Sequence, residues 1–197
     1  DQSTTSGVPN ANHAVQTNAA KQPKIVDGGS LVTGGLDFDG VDDTLNTPLV
    51  PPTPATLIAV STFDIEDVTQ IIVGGRDSTN QRSYIGQSSA TGNIQIAVGD
   101  SSFDSSTNVI ATTEYLSFGA YAGTARDIAA NGANSSYTGN LFTANTVQGY
   151  NIGSLNSAGT AASFMNGRIR EVIIYNTDQT DNRTALEANI GEVYGIA

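Results

Sequence analysis

Apolar residues in this chain come in short bursts, broken roughly every 8–12 residues by Gly, Asn or Asp, and that rhythm predicts an all-β sandwich or barrel. Leu36 and Phe38 alternate with Asp37 and Asp39, the period of a half-buried strand. Asp39-Gly40 is a hairpin turn signal, which makes Thr44–Thr47 the return strand. Pro48–Pro54 holds four prolines and reads as a stiff connector outside any sheet. Thr56–Phe63 is the best buried strand of the first half, and Ile71–Gly74 follows it after an acidic loop at Asp64–Asp67. Further strands are predicted at Ser83–Gln87, Asn93–Val98, Val109–Thr112, Tyr115–Ala122 and Asp127–Ala130, the last leading into a tight turn at Asn131-Gly132. Ala133–Gln148 is polar and reads as an extended loop anchored by Tyr137, Leu141 and Phe142. Tyr150–Leu155 and Arg168–Tyr175 close the sheet.

The period changes only at the end. Leu186, Ile190 and Val193 recur at helical spacing, Asp178 or Thr180 can cap, and Gly195 is a suitable stop. The pattern therefore predicts an antiparallel β-sandwich with a short C-terminal α-helix. Residues 1–35 are a polar lead-in or arm, and residues 36–197 form the sandwich.

Composition narrows the function classes. Only 14% of the 197 residues are charged, and Ser, Thr, Asn, Gln and Gly fill the gap, as in a rigid protein exposed to an exterior setting. The formal net charge is −11 with 8 Lys and Arg in total. No basic patch can neutralise a run of phosphates, so nucleic acid and anionic membrane surfaces are not expected partners. No apolar run reaches the length of a membrane span, so membrane insertion is not expected either. Cysteine is absent, which removes disulfides and thiolate metal sites. The chain opens on Asp1 rather than Met, and the expectation is a removed leader or a longer parent protein.

Two landmarks resemble a known family. Leu36-Asp37-Phe38-Asp39-Gly40-Val41-Asp42-Asp43 is similar to the early hairpin of the laminin G-like, concanavalin A-like jelly-roll domains of bacteria and phages. Phe164–Asn176 resembles their last strand, and the helix ending in Tyr194-Gly195-Ile196 resembles the short helix after that strand. The resemblance implies a jelly-roll β-sandwich with a binding or display role. Such domains are frequent in phage head decorations and tail fibres, in secreted adhesins, and as modules of carbohydrate-active enzymes.

Candidate chemistry is sparse. Asp37, Asp39, Asp42 and Asp43 are candidate ligands for calcium, which takes six to eight hard oxygens. The competing role is structural: Asp39 and Asp42 bond turn amides while Asp37 faces water. An alternating Glu-x-Asp-x-Glu pair of facing carboxylates, as glycoside hydrolysis would use, is absent. Glu171 is expected in a surface ion pair, and His13, the single histidine, has no second histidine with which to share a metal. No cofactor is required by any motif. Tyr137 and Phe142, in the polar stretch, are the candidate ligand-binding aromatics; the competing and favoured role is to pin that loop.

The expectation is a non-catalytic exterior structural and binding module. Its expected place is a phage particle, as capsid decoration or fibre, assembled as a homo-oligomer against other virion subunits or touching cell-surface glycans. The alternative is a carbohydrate-binding lectin module of a secreted bacterial protein, and a glycoside hydrolase with an unrecognised site is a third reading. All three place the chain at the virion exterior or outside the cell.

Overall fold

The computed structural model describes residues 13–50, 53–77, 81–139 and 149–196. After a 3-10 turn at Ala19–Lys21, the chain forms β1 (Val26–Asp27), β2 (Ser30–Leu31), β3 (Leu36–Asp39) and β4 (Leu45–Asn46). The long central strands are β5 (Ala55–Phe63), β6 (Gln70–Arg76), β7 (Arg82–Gln87), β8 (Asn93–Gly99), β9 (Ser101–Asn108), β10 (Glu114–Ala122), β11 (Ala125–Ala130) and β12 (Ala133–Thr138). Then come β13 (Asn151–Ile152), β14 (Leu155–Ser157), β15 (Thr160–Ala162), β16 (Asn166–Tyr175), a 3-10 turn at Thr180–Asn182, and α1 (Arg183–Tyr194).

Two sheets face each other. The first runs β12-β11-β10-β5-β16-β3, and the second runs β15-β14-β6-β7-β8-β9, with β13 also pairing β6 and β4 pairing β13. Pairing is antiparallel except between β14 and β6. This is the antiparallel β-sandwich with one C-terminal helix that the hydrophobic rhythm predicts.

The core lies between the sheets and follows strand alternation. Leu57, Ala59 and Phe63 of β5 meet Ile85, Ile94, Ile96 and Val98 of the second sheet, with Phe38, Tyr115, Tyr121 and Tyr150 filling the space. Three buried hydroxyls satisfy one another there: Ser83 Oγ donates to Tyr121 Oη at 3.0 Å and lies 2.7 Å from Tyr150 Oη. The opposite face of the first sheet carries Ile58, Val60, Leu116, Phe118 and Ala120, and α1 covers them. The helix does so with Leu186, Ile190 and Tyr194, whereas Val193 is 72% exposed. The apolar stripe is therefore 186–190–194 and not 186–190–193. Gly195 ends the helix in the left-handed region at φ 71°.

Three other expectations change. β3 and β4 do not form a hairpin: β3 pairs with β16 in the first sheet, and β4 pairs with β13 in the second. The Asp39-Gly40 turn carries the chain from one sheet to the other. Val109–Thr112 is not a strand; the strand is the polar β9 just before it. The polar stretch after Asn131-Gly132 begins as β12, paired along its length with β11. β9 and β12 are edge strands, and their side chains are mostly exposed or half-buried, so neither shows the apolar alternation that marks an interior strand.

The lead-in lies against the sandwich from Val15 onward. Val15 exchanges backbone hydrogen bonds with Asn46, and Lys24 with Asp37. Among the described residues no helix is long and apolar enough to cross a membrane.

Candidate ligand face of the second sheet

Strand parity decides which side chains of β7 reach outward. Ser83 and Ile85 point into the core, so Arg82, Tyr84 and Gly86 lie on the face turned away from it. Register extends that face across the sheet. Arg76 stands opposite Arg82, and Tyr84 lies between Gly74 and Ala97. Gln95 stands between Gly86 and Asp104. The rows are two residues apart, about 7 Å along the strands.

The polar groups of this face are held in fixed positions. Tyr84 Oη donates to Gln95 Oε1 at 2.8 Å, and Gln95 Nε2 donates to Asp104 Oδ1 at 2.7 Å. Thr91 Oγ1 donates to Asp104 Oδ2 at 2.9 Å. The Arg82 guanidinium carbon lies 5.8 Å from the centroid of the Tyr84 ring, within cation–π range. Arg76 Nε donates to Ser157 Oγ at 2.8 Å. Tyr84 also packs with Ile71, Ala97 and Leu155 in a small apolar cluster. Burial pushes the Tyr84 hydroxyl above its ordinary pKa, against the pull of Arg82 and Arg76, so it stays a neutral donor. Tyr84 and Gln95 are buried and serve as the frame; Arg76, Arg82, Asp104 and Ser157 are half-buried and reach solvent.

The acidic residues near the start divide. Asp37 leaves the group: it faces Arg168 across β3 and β16, with Arg168 Nε 3.9 Å from Asp37 Oδ1. Asp39, Asp42 and Asp43 each place one carboxylate oxygen within 4.8 Å of the others. Asp39 Oδ1 accepts from the amides of Val41 (2.8 Å), Asp42 (3.3 Å) and Asp43 (3.5 Å), and Asp43 Oδ2 accepts from the Asp39 amide at 3.1 Å. Asp42 faces Lys21 at 3.9 Å instead of bonding a turn amide. Burial is the main cause that raises the Asp43 pKa; the Asp39 amide opposes it, and the neighbouring Asp39, Asp42 and Asp37 add to it. Three carboxylates would supply part of a calcium shell, and two of them already hold the turn.

Tyr137 lies on edge strand β12, its ring 5.1 Å from Phe103 and its hydroxyl donating to the Asp104 carbonyl. It closes the side of the sandwich between β12 and β9. Phe142 lies outside the described residues. Tyr115, Tyr121 and Tyr150 are core residues, each at most 2% exposed. In the acidic run at Asp64–Asp67, Glu66 Oε1 accepts the Ala111 amide at 2.7 Å and latches two loops. The ion pair next to Glu171 belongs to Arg170, which meets Glu114 at 3.0 Å. A groove of about 390 Å³ opens where β1 and β2 meet β3 and β16, but its lining is mainly aliphatic, with Arg170 and Glu171 at the side.

Sequence reasoning missed Arg76 and Arg82. The sequence shows two of six arginines between the predicted strands at Ile71–Gly74 and Ser83–Gln87, and only the antiparallel register of β6 and β7 brings them face to face.

No family model and no curated protein matches this chain. Solved structures do. Domain 4 of AbnA, an extracellular GH43 arabinanase from Geobacillus stearothermophilus in complex with arabinotriose, matches with TM-score 0.60 and 18% identity over 78% of this chain and 75% of that one. The CBM40 of the Ruminococcus gnavus IT-sialidase, bound to α2,3 sialyllactose, matches with TM-score 0.56 and 14% identity over 69% of this chain and 81% of that one. The NanB sialidase of Streptococcus pneumoniae matches with TM-score 0.57 and 17% identity; the match covers 70% of this chain and 24% of the sialidase, about a quarter of its length. At these identities the likeness is one of architecture, and the chain shares the β-sandwich fold of such carbohydrate-binding domains.

Proposed function

We propose that the chain is a non-catalytic glycan-binding module of an exterior protein, and that it binds through the outer face of the second sheet. The observation that carries this reading is the array Arg76, Arg82, Tyr84, Gln95 and Asp104. Its donors and acceptors converge on one sheet face and are locked by their own hydrogen bonds, as saccharide recognition requires. The architectural likeness supports it, since two of the similar domains are described in complex with a saccharide and each is matched over three quarters or more of its length.

The reading coincides with a carbohydrate-binding module of a secreted bacterial protein. A place on a phage particle gains no support from the three similar structures named above, which belong to sialidases and an arabinanase. Retention of the protein on a glycan array tests the proposal. Binding to a defined set of saccharides is expected, weakened by Asp104→Asn with the melting temperature preserved. Retention that Asp104→Asn and substitutions of the Arg76–Arg82 pair leave unchanged would remove this face from the account.

A further inference from the structure

Arg76 and Arg82 are opposite each other on adjacent antiparallel strands, with their side chains on the same outer face. Like charges directly across a ladder destabilise it unless something negative lies between them. In this chain the opposition is unusual, because acids outnumber bases 19 to 8. Five of the eight bases meet a carboxylate: Lys21 with Asp42, Lys24 with Asp27, Arg168 with Asp37, Arg170 with Glu114 and Arg183 with Glu187. Arg126 is buried and donates to the carbonyls of Gly123 and Ala125. The remaining two are Arg76 and Arg82, and among the described residues neither forms an ion pair.

Their donors are also left over. Arg82 stacks on Tyr84 and gives one terminal nitrogen to the Asp100 carbonyl at 3.3 Å, while its Nε is buried without a hydrogen-bond partner. Arg76 spends Nε on Ser157, and its two terminal nitrogens have no hydrogen-bond partner among the described residues. A buried donor without a partner carries a desolvation cost that a ligand can remove. Two guanidinium forks on one rung match a planar anion, since each can donate two parallel N–H bonds. Asp104 sits at the other end of the face, held by Gln95 and Thr91. The face therefore carries two arginines on one rung and a carboxylate two rows away.

We propose that the Arg76–Arg82 rung is an anion subsite that takes the carboxylate of an acidic sugar, the sugar ring lying over the Tyr84 row with its hydroxyls toward Asp104. This deepens the glycan-binding reading and rests on it. The rung selects charge, and the rest of the face selects the saccharide.

The test compares acidic and neutral forms of the same sugars by calorimetric titration of the full chain: trigalacturonate against its methyl ester, and 3′-sialyllactose against its methyl ester. Binding of at least one acid is expected to be at least tenfold tighter than that of its neutral partner and to weaken as salt is raised. Arg76→Gln and Arg82→Gln should each abolish that preference without lowering the melting temperature, since each removes a like-charge opposition, and Arg82→Lys should restore only part of it. The salt dependence and the acid-to-neutral ratio of the unaltered protein decide the matter should a variant fail to fold. Equal binding of acid and ester, insensitive to both arginines, would overturn the subsite and leave the glycan reading standing. Binding of none of the four would overturn the subsite together with the glycan reading for these sugars, and a full array empty of hits would overturn the module itself.

Discussion

Asp39 and Asp43 hold each other's backbone: the Asp43 carboxylate accepts the Asp39 amide at 3.1 Å, and the Asp39 carboxylate accepts the Asp43 amide at 3.5 Å. This reciprocal clasp sits where the chain leaves β3 in the first sheet and heads for β4 in the second. It makes Asp39 primarily a turn residue. Asp39→Ala should cost about 0.5–1.5 kcal/mol, because it strips the acceptor from the exposed amides of Val41 and Asp42 and from the part-buried amide of Asp43. Urea melts in calcium and in chelator should show the same loss. A loss confined to calcium buffer would make the Asp39–Asp42–Asp43 cluster a cation site instead.

Asp43 adds a pH signature. Its pKa is raised in the fold by burial, so the folded state binds its proton more tightly than the unfolded chain does. Its contribution is therefore most favourable below the unfolded carboxylate value of about 4 and is lost as pH rises through the raised folded value. Asp43→Asn keeps an acceptor for the Asp39 amide and does not titrate. The melting-temperature difference, variant minus wild type, should grow more positive from pH 3 to pH 7 in chelator, a range of about four units bracketing the ordinary carboxylate value. A difference independent of pH would contradict the buried carboxylate.

The helix offers a pairwise test. Ile190 is 6% exposed beneath α1, and Val193 is 72% exposed on its far side. Ile190→Ala should destabilise by about 2–4 kcal/mol, and Val193→Ala by less than about 0.5 kcal/mol. Comparable losses at both positions in denaturant titrations would mean that the helix docks on the 186–190–193 stripe.

Gly153 marks a point of close approach. Its φ is +78°, and an added Cβ would lie 2.1 Å from Cε1 of Phe38, a ring only 1% exposed. Gly153→Ala combines left-handed strain with overpacking and should cost about 2–5 kcal/mol. A thermal melt within a degree or two of wild type would show that Phe38 does not fill that space.

Hydrophobic rhythm made the interior of the fold legible. β5, β10 and β16 were readable because each contributes side chains to the core between the sheets. Gly195 was readable as a helix stop because its role is local backbone geometry. What stayed hidden is what burial does not write into sequence. β9 and β12 hold the sandwich edges mainly through backbone ladders, so Ser101–Asn108 and Ala133–Thr138 look like loops. Strand partners are equally invisible: Asp39-Gly40 has hairpin chemistry, yet β3 and β4 join different sheets. The Arg76–Arg82 rung becomes visible only when register is known, since six positions of chain separate two arginines that stand side by side in the sheet.

The most direct test of the account is chemical-shift mapping of the isotope-labelled protein with a saccharide retained on the array. The account predicts perturbations concentrated on the outer face of β6–β9, at Arg76, Arg82, Tyr84, Gln95 and Asp104, with side-chain shifts at both guanidinium groups. Perturbations confined to the aliphatic groove by Leu31 and Ile169, or to the Phe103–Tyr137 edge, with that face silent, would contradict it.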